Sequence, residues 1–260
     1  MPFPDVQRVI YENNPLVNVI CQFRFPPILK IDSEVPSPFQ EKIRDKFPLY
    51  FEKQELIQQI NHAGSPNILG QLLAKQSPIK NHEFSSEDNL WKVNLTRTFI
   101  TLSSADYKKW ENFIERFTYI LNAFNEIYLP PFFTRIGLRY QDVFNRSNLG
   151  LKDVSWSDLI KPEFLGLLYS TFANKVENFE SAYEIKLTDD ASLVRMVISS
   201  VKEQTSGESC FMVDSDFHNT ERKKTDEALE KLEFLHERAS KLIRCIITDK
   251  LHTAMTPVNI

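Results

Sequence analysis

In CFMVDSDFHN the residues Asp214, Asp216 and His218 alternate, so an extended backbone turns all three toward one side. Two carboxylates and an imidazole so disposed can hold a divalent cation that acidifies a bound water, the chemistry of a metal-dependent hydrolase or nuclease. His236 and Glu237, in LEFLHERA, join them if the following helix folds back on that strand. The plainer alternative is a strand that ends in a turn, because Asp and Asn favour turns and the HNTERKKTD that overlaps its end is a solvated sequence.

A second set is cationic. Arg24 stands between Phe23 and Phe25 in VNVICQFRFPP, and Arg135 and Arg139 share one face of TRIGLRYQDVF. Residues four apart on a strand are separated by roughly 13 Å, so one small anion cannot bridge the last two. An extended polyanion or the acidic surface of a partner protein can, and the planar guanidinium fork suits carboxylate or phosphate. Here the alternative is a row of exposed or ion-paired sheet residues that stabilise little.

These side chains depend on strands to aim them. Val17, Val19, Cys21, Phe23 and Phe25 fall on one face of the first strand, with Asn18, Ile20, Gln22 and Arg24 on the other, and Pro26 and Pro27 end it. Ile136, Leu138 and Tyr140 oppose Arg135, Gly137, Arg139 and Gln141 in the same way. Ser37, Pro38 and Gln40 predict a capped helix start, with Phe39, Ile43 and Phe47 as its apolar stripe. LWKVNLTRTFITL reads as one strand that becomes apolar on both faces near Phe99. Long helices are predicted over 106–128, striped by Trp110, Ile114, Phe117, Leu121 and Phe124, and over 225–251, striped by Leu229, Leu232, Leu235, Ala239, Leu242 and Ile246. Loops around short strands are expected over 60–90.

Composition narrows the classes. Of 260 residues, 42% are hydrophobic and 25% charged, the balance of a globular protein. Twenty phenylalanines predict an aromatic core, and six glycines leave little to build phosphate loops. A net charge of −4 does not support a general nucleic-acid footprint. Nucleotide-binding, nucleophile-elbow and H-E-x-x-H motifs are absent. The scattered Cys21, Cys210 and Cys245 fit reduced thiols rather than a disulfide framework or zinc site, and neither a signal segment nor a membrane span is read, so a cytoplasmic protein is expected.

CQFRFPPI, FQEKIRDKFP, WKVNL with FITLSSADYKKWENF, RIGLRYQDVF, and VDSDF with LEFLHERASKLIRCIIT follow one another along nearly the whole chain. In that order they resemble a sporadically distributed family of uncharacterised prokaryotic proteins. The resemblance brings no activity, cofactor or catalytic residue with it. It implies an accessory gene of mobile or defence-related neighbourhoods.

The expected fold is α+β, with mostly antiparallel sheets packed on two long helices, in halves 1–145 and 146–260 that are related or form one compact unit. The expected function is a non-catalytic protein-binding module, an accessory, antitoxin, immunity or defence-associated subunit. It grips a partner protein encoded nearby through Arg24, Arg135 and Arg139, and neither cofactor nor resident metal is expected. The competing reading is the hydrolase or nuclease built on Asp214, Asp216, His218 and His236.

Overall fold

Alternation in the first long strand decides where its side chains go. β2 (Leu16–Arg24) buries Val19, Cys21 and Phe23 and leaves Arg24 exposed. The computed structural model describes residue 3, residues 5–55 and residues 79–259. In it β2 joins β3 (Leu49–Glu55), β4 (Ile79–Ser85), β5 (Trp91–Leu95), β6 (Phe99–Ser104), β7 (Arg135–Phe144), β8 (Glu180–Lys186), β9 (Ser192–Lys202) and β10 (Ser209–Asn219) in a single sheet. The strand order is β3-β4-β5-β6-β2-β7-β10-β9-β8, and each neighbouring pair is antiparallel. Residues 1–145 and 146–260 therefore share one sheet, joined where β7 pairs with β10.

In each half a run of antiparallel strands leads into a long helix: β6 into α3 (Trp110–Tyr128), β10 into α5 (Thr225–Ile246). Short helices α1 (Lys30–Ser33), α2 (Ser37–Ile43), α4 (Trp156–Leu159) and α6 (Asp249–Ala254) complete the α-helices of the described residues. The fold is thus mixed α+β around a large antiparallel sheet. Both long helices lie on the sheet's inner face, because α3 buries Phe117 against Phe23 and α5 brings His236 to Tyr140. The core is aromatic, as the phenylalanine count predicts. Phe23 packs edge-on against Phe117 at 4.8 Å and Phe133 at 5.0 Å, and Phe25 meets Phe124 at 4.7 Å.

Several boundaries differ from the expected ones. Thr96 to Thr98 turn the chain, with the Thr96 amide donating to the Phe99 carbonyl, so LWKVNLTRTFITL makes a hairpin of β5 and β6. The apolar residues near Phe99 belong to the second of two central strands. Pro36, not Ser37, occupies the cap of α2 and supplies no side-chain cap, while Phe39 and Ile43 are buried on the predicted stripe. α3 begins at Trp110 because Lys109 is extended. The last helical stretch breaks at Ile247, after which the Thr248 hydroxyl caps α6 by accepting from the Leu251 amide. Part of the loop region expected over 60–90 lies outside the described residues. No helix of the described residues is long and apolar enough to cross a membrane.

A separate two-stranded ribbon closes one end. β1 (Val9–Tyr11) pairs antiparallel with β11 (Pro257–Asn259). Glu12 and Asn13 extend the pairing by donating to the Thr256 and Met255 carbonyls, both at 3.1 Å.

Candidate functional site

The two residue sets singled out in the sequence meet on the sheet's outer face, as each other's partners. β2, β7 and β10 are neighbours, and their outward phases carry Arg24, then Arg135 and Arg139, then Asp214, Asp216 and His218. Arg24 lies directly opposite Arg135, while Arg139 faces Ile20. Arg139 donates from Nε to Asp214 Oδ1 at 2.6 Å and from Nη2 to Asp214 Oδ2, a forked pair. Arg135 Nη2 reaches both oxygens of Asp216 at 2.8 and 2.7 Å. That reach depends on Gly137, since a Cβ there would stand 2.1 Å from Arg135 Nη1. Gln22 accepts from Arg24 Nε at 2.8 Å and from Arg135 at 3.4 Å, and Gln141 donates to Asp214 at 3.2 Å. The carboxylates proposed as metal ligands are thus committed to guanidinium groups.

His218 directs Nδ1 to the backbone oxygen of Asp216 at 3.2 Å. His236 stands apart from this set. It projects from α5 beneath the inner face, where Tyr140 Oη and its Nδ1 lie 2.9 Å apart, so the sheet separates it from Asp214, Asp216 and His218. Glu237, its neighbour, pairs with Arg238 in solvent. Among the described residues no group of three or more His, Cys, Asp or Glu is placed to hold a metal ion.

The inner face holds a cavity of about 320 Å³ between β7, β10, α5 and the β1–β11 ribbon. Continuing the inward phase of RIGLRYQDVF past Tyr140 places Asp142 at its wall, and the same phase of β10 adds Ser215. Asp142 is 3% exposed and His236 6%. Asp142 Oδ2 and His236 Nε2 are buried without a hydrogen-bond partner in the protein. Such atoms are uncommon, because each gives up solvation without recovering it.

Around them the walls are well braced. Trp110 stacks on the His236 ring at 4.0 Å and 6°, and donates from Nε1 to Glu233 at 2.6 Å. Tyr107 meets Tyr140 edge-on at 6.1 Å. Tyr11 Oη lies 2.8 Å from His252 Nδ1, tying the ribbon to α6. Arg8 donates to Glu111 at 2.8 Å, holding the segment before β1 to the start of α3.

Burial governs the protons here. It raises Asp142 to about 8, with Asp214 behind it adding repulsion, so the carboxyl is mostly protonated near neutral pH. It lowers His236 to about 3, helped by the Arg8 charge, so the imidazole stays neutral. Burial likewise raises Tyr11 to about 12 and moves Tyr107 and Tyr140 upward.

Sequence reasoning placed His236 in the wrong company and passed over Asp142, Tyr107, Arg8 and His252. Asp142 was marked by a readable signal, an acidic residue on the apolar phase of a strand. The others come from a ribbon and loops that only tertiary packing brings together. Comparison with family models, with curated proteins and with solved structures gives no match.

Proposed function

We propose that the protein binds a small molecule in the inner cavity, as a binding site rather than a catalytic one. The observation that carries this reading is that Asp142 and His236, from different elements, line one cavity and each keeps a buried atom, Oδ2 and Nε2, without a hydrogen-bond partner in the protein. A concave, largely apolar chamber with a few unsatisfied polar groups is the usual form of a ligand site. Binding is favoured over turnover because His236, stacked on Trp110 and held neutral, is a poor proton carrier near pH 7. Ser240 lines the cavity from α5 and is half-buried, so Ser240→Phe fills the chamber without entering the core. Ligand-observed NMR with a fragment library should give hits on the native protein that Ser240→Phe abolishes. Hits that persist in the filled variant would refute the reading.

A second reading, a partner protein held on the outer face, is favoured by Arg24 lying directly across from Arg135 with Arg139 on the same face. Adjacent guanidinium groups raise the local positive potential that an acidic partner would meet. Arg139 is 44% exposed at its side chain, and its pairing with Asp214 lowers the gain available to a partner. Copurification with the product of a neighbouring gene should fall at least tenfold in the Arg24→Glu, Arg139→Glu double variant. Undiminished recovery would remove this surface from consideration.

A further inference from the structure

Three of the four lysine and arginine side chains that line the cavity are paired. Arg8 is matched by Glu111, Lys108 by Asp106 at 2.8 Å, and Arg244 by Asp249. Tyr11 and His252 satisfy one another, and Tyr107, Tyr140 and His236 are uncharged near neutral pH. Lys109 stands exposed at the mouth. Among the described residues Asp142 is the one acid that lines the cavity, and the charge that acts on it is the like charge of Asp214, across the sheet. A buried carboxylate of this kind is strongly disfavoured until a counter-charge arrives.

We propose that the ligand is a small organic cation, an amine or amidine whose N–H groups donate to the Asp142 carboxylate while its apolar body lies between the cavity's tyrosines. This inference rests on the small-molecule reading above and names its chemical class. Three further observations fit it. Asp142 Oδ2 is an acceptor waiting for a donor. Tyr11, Tyr107 and Tyr140 line the chamber, and aromatic faces attract cations once water is excluded. Leu16, Ala239 and Ile243 supply apolar wall for the body of the ligand.

The cation's arrival takes the proton from Asp142. The carboxyl O–H breaks, the proton leaves to buffer, and the carboxylate accepts the N–H donors. Binding is therefore coupled to release of nearly one proton at pH 7. Besides the tyrosines and His236, the ionisable groups that line the cavity are Arg8, Lys108, Lys109, Arg244 and His252, the last held lower than usual by burial.

Three probes of one shape separate the possibilities: benzamidine (cationic), benzamide (neutral) and benzoate (anionic). Titration calorimetry of the native protein in two buffers of different ionisation heat should show benzamidine binding with close to one proton released at pH 7. Its affinity should rise about tenfold per pH unit from 6 to 7 and level off above 8. Asp142→Asn, nearly isosteric, should lose at least tenfold in affinity and all of the proton release. Benzamidine binding without proton release, or unchanged in Asp142→Asn, overturns the proposal. Saturation by benzoate or benzamide but not benzamidine overturns the cation and leaves the small-molecule site standing. Saturation by none of the three removes both.

Discussion

Asp142→Asn makes the protein more stable at pH 8 and removes a slope from its pH profile. The folded carboxyl titrates near 8 against 3.8 in the ordinary state, so between these values the native protein holds a proton that the unfolded chain has released. Stability therefore falls as pH rises across this window, is unaffected by the group below it, and is lowest above 8. Four units at about 1.4 kcal/mol each give an upper bound on the order of 6 kcal/mol, which water penetration and relaxation reduce. Asparagine keeps the shape and carries no charge to strand. Chemical denaturation from pH 5 to 8.5 should show the native protein losing several kcal/mol relative to the variant. Parallel curves for the two proteins would contradict the buried, unpaired state of Asp142.

His236 supplies a control inside the same experiment. Its folded value near 3 lies below the ordinary 6.5, so the unfolded chain gains a proton first as pH falls. In Asp142→Asn that loss below about 6.5 should stand alone, and it should vanish in His236→Gln. The two opposed slopes cancel between about pH 4 and 6.5, so the native protein should be most stable across that plateau, losing stability above it through Asp142 and below it through His236.

Phe23→Ala is the second large effect. Phe23 is fully buried where β2 meets α3, and its ring contacts both Phe117 and Phe133. Truncation removes the transfer energy of the ring and leaves a void that two neighbouring rings are too rigid to fill. About 3–5 kcal/mol should be lost in urea denaturation. Arg24, the next residue on the same strand, points the other way, and Arg24→Ala should cost within about 0.5 kcal/mol. A loss below 1 kcal/mol for Phe23→Ala would mean that the aromatic core does not pack as described.

Single residues show what the chain alone could reveal. Period two assigned Val19, Cys21 and Phe23 inward and Arg24 outward, and period 3.6 found Phe117, Leu121 and Phe124, because burial on one face leaves a mark on every second or fourth position. The turn at Thr96–Thr98 left no such mark: it contains neither glycine nor proline, and a three-residue reversal between two inward-facing runs looks like continuous strand. The outer face was legible as two separate sets of charges. Their union was not, because Arg135 and Asp216 are 81 positions apart and only the β7–β10 register brings them together. The cavity was least legible, since its wall needs residues near 8, 107, 142, 236 and 252 at once.

The β1–β11 ribbon gives the cavity a history as well as a shape. Its two strands are separated by nearly the full length of the chain, so the chamber's last wall waits until residue 259 has left the ribosome. During synthesis the nascent polypeptide can bury Phe23 and zip its early hairpins, yet it stays an open bowl with Asp142 still wetted. Closing so long a loop is a late and slow event. For the small molecule proposed above, the way in stays unroofed until the ribbon pairs.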